Sequence, residues 1–175
     1  MNQLEKFAEI DTFIFDVDGV FTDSGLLVLE DGKLLRKMNA RDGYAVKAAL
    51  AAGYRVAIIT GGKSEGVKIR LQNLGIKDIY SGINDKMEAY EEYIDIYNLD
   101  EAKIMYMGDD IPDYEVMRRV GFPACPSDAA PEIRRLAIYI SPEKGGDGCV
   151  RDVIERALKI SGKWRATGEE EITSV

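Results

Sequence analysis

Short apolar runs alternate with amphipathic stretches along most of the chain. Residues 12–17 read as a buried strand running into acids, and 55–60 as a second, Val-Ala-Ile-Ile, running into Thr60-Gly61-Gly62. Residues 103–107 form a third, ending in Gly108-Asp109-Asp110, with weaker strand candidates at 78–80, 122–125 and 137–140. Between them the pattern predicts helices over 42–52, 64–74, 85–97, 113–120 and 148–160. In the third of these, Met87, Tyr90, Ile94 and Tyr97 recur at helical spacing, a stripe that faces a core. Strands that are apolar throughout, alternating with helices, predict an α/β fold in which a parallel sheet is covered on both faces. Ligands of such sheets bind beyond the carboxyl ends of the strands, where all three polar clusters fall.

One segment interrupts the alternation. Two apolar-rich runs, Leu26 to Leu29 and Leu34 to Met38, flank Asp31-Gly32, a strong hairpin signal. Leu26 and Val28 would face one side and Leu27 and Leu29 the other, with Leu34, Leu35 and Met38 opposite. A lone two-stranded hairpin cannot hide both faces. Either it folds back on its own domain or several copies pack together. The expected organisation is one domain over 1–161, with the hairpin at about 24–39, and a flexible, acidic tail over 162–175.

Composition narrows the chemistry. The 175 residues carry a formal charge of −8, which argues against a nucleic-acid partner. No apolar run reaches the length of a membrane span, and the acid-bearing N-terminal stretch does not read as a signal peptide. Histidine is absent, which excludes Ser-His-Asp triads, Cys-His pairs and histidine-ligated zinc. The two cysteines, Cys125 and Cys149, lack Cys-x-x-Cys spacing and read as reduced thiols of a cytoplasmic protein. A catalyst here must be built from carboxylates, lysines, hydroxyls, backbone amides or a hard metal.

Asp16-Val17-Asp18-Gly19 carries the strongest signal. Two acids two apart at a strand end share a face, unless the chain turns after Asp16, as Gly19 permits. A carboxylate attacking an anionic phosphoryl group needs its charge neutralised, and Asp16 and Asp109 offer hard oxygens suited to Mg²⁺. Any one acid alone reads more simply as a turn former or helix cap. Three clustered acids, with an apolar strand before each group, favour a site. Thr60, Gly61 and Gly62, opening a helix, suit a phosphate cradle. Lys86 sits near a helix start, where the dipole disfavours it; a surface lysine is the plain reading, a phosphoryl clamp the functional one.

Taken in order, D-V-D-G-V-F-T-D at 16–23, Thr60, Lys86 and G-D-D-I-P-D at 108–113 resemble the haloacid dehalogenase superfamily of phosphohydrolases. The resemblance implies a Rossmann-like parallel sheet flanked by helices, with a small β-hairpin flap instead of a cap domain. It implies Asp16 as nucleophile, Asp18 as acid and then base, and Thr60 and Lys86 on the phosphoryl oxygens. Asp16, the Asp18 carbonyl and Asp109 would bind Mg²⁺, with Asp110 or Asp113 supporting its waters. Within the superfamily, N-A-R-D-G at 39–43 and G-G-D-G-C-V-R-D at 145–152 resemble 3-deoxy-D-manno-octulosonate 8-phosphate (KDO 8-phosphate) phosphatases, homotetramers of lipopolysaccharide synthesis. That likeness places Asn39, Arg41 and Asp42 near a phosphorylated sugar-acid substrate, and Arg70 on its carboxylate, in cis or across a subunit boundary. It also allows the tail to enter a neighbouring site.

Gly62 departs from the arginine or glutamate that relatives can carry there, which leaves a nine-carbon sugar acid 9-phosphate as an alternative substrate. Two other readings compete. A signalling receiver domain uses similar residues in a different order, and a non-catalytic tetramerisation module would not need every acid present here.

Overall fold

The computed structural model describes residues 2–165. Helix α1 (Gln3–Glu9) leads into β1 (Thr12–Phe15), followed by the hairpin strands β2 (Leu27–Val28) and β3 (Leu34–Leu35). Then come α2 (Ala40–Ala51), β4 (Arg55–Thr60), α3 (Glu65–Asn73), β5 (Asp78–Ser81), α4 (Lys86–Tyr97) and β6 (Ile104–Met107). The described chain closes with α5 (Tyr114–Arg119), β7 (Phe122–Cys125), α6 (Pro131–Leu136), β8 (Tyr139–Ile140) and α7 (Cys149–Ile160). Six strands form one parallel sheet in the order β5-β4-β1-β6-β7-β8, as the continuous apolar runs predict.

Alternation along the strands builds two cores. Phe13, Phe15, Val56, Ile58, Met105 and Met107 point to the layer of α1, α2, α3 and α7. Ile14, Ala57, Ile59, Ile104 and Tyr106 point to the layer of α4, α5 and α6. The expected stripe of α4 packs there, joined by Ala89 and the fully buried Tyr93.

Sheet order positions the site. Central β1 pairs with β4 on one side and β6 on the other, Phe15 lying opposite both Ile58 and Met107. The chain order reverses at β1, so a crevice opens beyond its carboxyl end. The polar ends of β1, β4 and β6 therefore lie side by side.

Several boundaries differ from expectation. β1 stops at Phe15, because the Val17 carbonyl collects the amides of Val20, Phe21 and Thr22 and turns the chain sharply. α2 starts at Ala40, two residues early, because Asn39 caps it by accepting the Arg41 amide on Oδ1. Helices α1 and α6 are short and were not anticipated.

The hairpin forms around Asp31-Gly32, with Leu27 opposite Leu35 and Val28 opposite Leu34. It does not fold back on its own domain: Leu26, Leu27, Val28, Leu29, Leu34 and Leu35 are all exposed, Leu27 at 63% and Val28 at 66%. Only Met38, at its base, packs on the core. Of the expected tail, residues 166–175 lie outside the described residues. Its first residues are docked: the Lys163 and Trp164 amides donate to the Leu158 carbonyl, and Trp164 stands edge-on to Tyr44 beneath the Arg151 guanidinium.

Candidate active site

Asp16 is the first residue beyond β1, and its amide extends the sheet by donating to the Met107 carbonyl. Its two carboxylate oxygens are both held. Oδ1 accepts the Val17 amide at 2.7 Å, and Oδ2 lies 2.9 Å from Lys86 Nζ. Lys86 is the first residue of α4, capped by Asp85, and is buried despite its charge. Burial alone would lower its pKa, but Asp113 and Asp16 outweigh that and raise it.

Asp113 is a hub. Its Oδ1 accepts Lys86 Nζ and Tyr106 Oη, each at 2.6 Å, and its Oδ2 accepts the Asp109 and Asp110 amides at 3.0 and 3.3 Å. These four bonds fix the loop after β6 and leave Asp113 no accessible surface. Asp109 is aimed at Gly19, whose φ of +88° and missing Cβ are both required: any side chain there would overlap the Asp109 carboxylate. Behind Gly19, the loop at Gly145 and Gly146 packs against residues 19–23, the Gly146 amide donating to the Val20 carbonyl.

Asp16, Asp109 and Asp113 bring ligand oxygens within 4.8 Å of one another. Burial, then the charge of Asp113, pushes Asp16 up to about 7 against the pull of Lys86. Burial, then Asp16 and Asp113, pushes Asp109 up to about 8. One lysine does not neutralise three clustered acids, two of them buried. Asp109 Oδ1 is also buried without a hydrogen-bond partner. An all-oxygen donor set, one cation short and with an orphaned carboxylate oxygen, fits a hard divalent ion held by Asp16 and Asp109.

Thr60 ends β4, buried, with its hydroxyl accepting the Gly62 amide at 3.2 Å. The Gly61–Gly62 turn is locked by the Gly82 amide on the Gly62 carbonyl and the Ile83 amide on the Thr60 carbonyl. Asp18 has left the acid cluster. Its side chain is 33% exposed and forms a two-bond fork with Arg36, from Nε at 2.6 Å and Nη2 at 3.2 Å.

Other expected residues sit elsewhere within the chain. Asp110, exposed, caps the short turn at Ile111. Asn39 caps α2 and donates to the Gly146 carbonyl, and Arg41 borders a groove beside Asp147 and Arg151. Asp42 is buried, its Oδ1 accepting the Arg151 amide at the start of α7. Arg70 is exposed, against Gly43, on a cleft of about 710 Å³ between α3 and the hairpin. None of the hydrogen bonds of these four substrate-side residues reaches the strand-end acids. Tyr106 and Arg36 were missed. The alternation of β6 turns Tyr106 toward the layer that carries Lys86, which offered a signal; Arg36 had none, standing beside Lys37 and close to Lys33 in the same run.

A family profile described as haloacid dehalogenase-like hydrolase matches residues 75–153. The KDO 8-phosphate phosphatase of Yersinia pestis is 36% identical over 166 residues, covering 94% of this chain and 89% of that protein. The chain belongs to the haloacid dehalogenase-like hydrolases. It is an enzyme of their phosphoric monoester hydrolase class. The KDO 8-phosphate phosphatase of Escherichia coli K12 is also 36% identical, over 91% of this chain and 85% of its own. Among solved structures of this hydrolase family, the Yersinia pestis phosphatase matches with a TM-score of 0.89 at 35% identity, covering 91% of this chain and 86% of that one. The Moraxella catarrhalis phosphatase, in complex with magnesium, phosphate and KDO, matches with a TM-score of 0.87 at 31% identity, covering 91% of each. The six-stranded parallel sheet with a hairpin in place of a cap is this hydrolase's fold. Among the described residues, no helix is long and apolar enough to cross a membrane.

Proposed function

We propose that this hydrolase releases phosphate from KDO 8-phosphate, with Mg²⁺, through an aspartyl-phosphate intermediate, as a cytoplasmic step toward lipopolysaccharide. The observation that carries the chemistry is the placement of Asp16, Thr60 and Asp109 at the ends of neighbouring strands, with Lys86, at the start of α4, paired to Asp16. The substrate rests on likeness over nearly the whole chain to phosphatases named for it, one of them solved with magnesium, phosphate and KDO.

In this reading the Val17 amide and Lys86 fix the Asp16 carboxylate so that an oxygen faces the phosphorus without rotating. Asp16 forms the new O–P bond while the bond to the sugar oxygen breaks, and Asp18 gives that oxygen its proton. Asp18 then takes a proton from water, whose oxygen attacks the phosphorus and returns Asp16. Thr60, the glycine amides after it and Lys86 hold the phosphoryl oxygens. When bound by Asp16, the Asp18 carbonyl and Asp109, Mg²⁺ supplies the charge that lets two anions meet. Asp113 supports the site by holding Lys86 and the loop amides, and Asp110 by capping the turn behind Asp109.

Residues 1–161 act as the phosphatase domain, and the exposed hairpins pack together at the centre of a homotetramer. Burying six aliphatic side chains there supplies about 1.5–3 kcal/mol for each one fully covered. Asn39, Arg41 and Arg70 then contribute to the substrate side of a site shared between copies, with buried Asp42 holding α7 behind them.

A panel of eight- and nine-carbon sugar-acid phosphates, assayed with Mg²⁺ and again with a chelator, tests the reading. KDO 8-phosphate is expected to exceed nine-carbon 9-phosphates by about tenfold in kcat/KM, since Gly62 offers no side chain to an extra hydroxylated carbon. Activity is expected to vanish with the chelator. Equal or reversed preference moves the enzyme to the nine-carbon substrates. Full turnover without metal contradicts the mechanism.

A further inference from the structure

Arg36 lies on the hairpin just beyond β3, yet its side chain is only 5% exposed. Its fork takes both oxygens of Asp18. The remaining guanidinium nitrogen, Nη1, is buried with no partner, and a buried donor left unsatisfied is destabilising. Gly62 gives the fork room. A Cβ at that position would stand 3.0 Å from Asp18 Oδ2 and 3.2 Å from Arg36 Nη2, so the bare backbone makes the room the guanidinium fills.

This arrangement sets a requirement on turnover. Each Asp18 oxygen keeps a lone pair, but with the guanidinium lying across both, a leaving alcohol or an attacking water must compete with it for that carboxylate edge. A paired guanidinium leaves one anion readily only for another, because an uncompensated charge in a desolvated site is costly. We infer that Arg36 is a substrate-exchanged latch: the carboxylate of the incoming sugar acid takes the guanidinium and frees Asp18 for proton transfer. The inference deepens the substrate reading above and rests on it. It makes Arg36 a receptor for the substrate carboxylate as well as a positioning residue on Asp18. A phosphate ester lacking a carboxylate then meets a latched acid, so discrimination is built into the acid itself.

The test measures kcat and KM separately for the wild type, Arg36→Ala and Arg36→Lys on KDO 8-phosphate and on glucose 6-phosphate, with thermal unfolding as a check on folding. For Arg36→Ala, KM for KDO 8-phosphate is expected to rise at least about tenfold, while kcat/KM for glucose 6-phosphate rises about threefold or more. Arg36→Lys is expected to recover part of the KM, keeping the cation without the fork. Parallel losses on both substrates, or a KM for KDO 8-phosphate that does not move, overturn the latch. A wild type with no preference for KDO 8-phosphate overturns the substrate reading instead, and the glucose 6-phosphate arm alone then decides whether Asp18 is latched. If Arg36→Ala fails to fold, Arg36→Gln carries the same expectations.

Discussion

At the ends of β1 and β6, three carboxylates, a lysine and a tyrosine are gathered within one chain, Asp113 bonded to Lys86 and Tyr106, and Lys86 to Asp16. The hairpin does the opposite: six aliphatic side chains stand in solvent, and one buried cation, Arg36, reaches back to Asp18. The first region is built from strand ends of the sheet, so the fold itself positions its charges. The second is held by a four-residue ladder and has no core beneath it. In the proposed mechanism, phosphoryl chemistry rests on the first region, while control of Asp18 rests on the hairpin.

The largest effects separate the two regions. Asp16→Asn removes the nucleophile and is expected to lower kcat by more than about 10⁴-fold while leaving the assembly intact. Asp18→Asn, bound to the hairpin rather than to the acid cluster, is expected to cost about 10²–10⁴-fold and still to bind substrate. Steady-state kinetics beside a substrate-binding measurement checks both. A loss below tenfold for either would remove that residue from its role.

Next comes the hairpin. Val28→Asp places a charge on an exposed strand, so the chain's own unfolding is expected to change little. Sedimentation is expected to show the tetramer dispersed, and kcat/KM to fall about tenfold if neighbouring copies complete the site. A monomeric wild type, or an undisturbed tetramer, would return the hairpin's apolar surface to some other use.

The contrast also explains what the chain could and could not tell by itself. Strand ends are legible because Val-Ala-Ile-Ile and its kin fix the sheet, and the residue after each apolar run must then lie at its carboxyl edge. Asp16, Thr60 and Asp109 were readable that way; Lys86, at a helix start, reads from spacing alone as a surface lysine and gains its role only from the resemblance. Asp113 was placed in the right neighbourhood, but not as the acceptor of four donors, because that depends on Tyr106 arriving from the middle of β6. Arg36 was illegible, since no periodicity says how far a flap side chain reaches. Short elements were lost too: α1 and α6 have only seven and six residues, too few for a repeating stripe.

A smaller effect sits at the hairpin's base. Asp42 has one carboxylate oxygen on the Arg151 amide and the other buried without a partner. Burial, against the pull of that amide, pushes its pKa up from 3.8 to about 6. The folded state thus binds the proton more tightly, and stability falls as pH rises from about 4 to 6. With the pull of the α7 amide already counted, the shift corresponds to at most about 3 kcal/mol. Urea unfolding across this range is expected to show Asp42→Asn losing less stability than the wild type. Parallel curves would mean that Asp42 is solvated as an ion.

The most direct test of the strand-end site is a covalent one. The enzyme is mixed with KDO 8-phosphate carrying a labelled phosphoryl group, quenched in acid during turnover, digested and mapped. The account predicts label on the peptide containing Asp16, absent from Asp16→Asn. Phosphate release with no protein-bound label, or label on another residue, would contradict it.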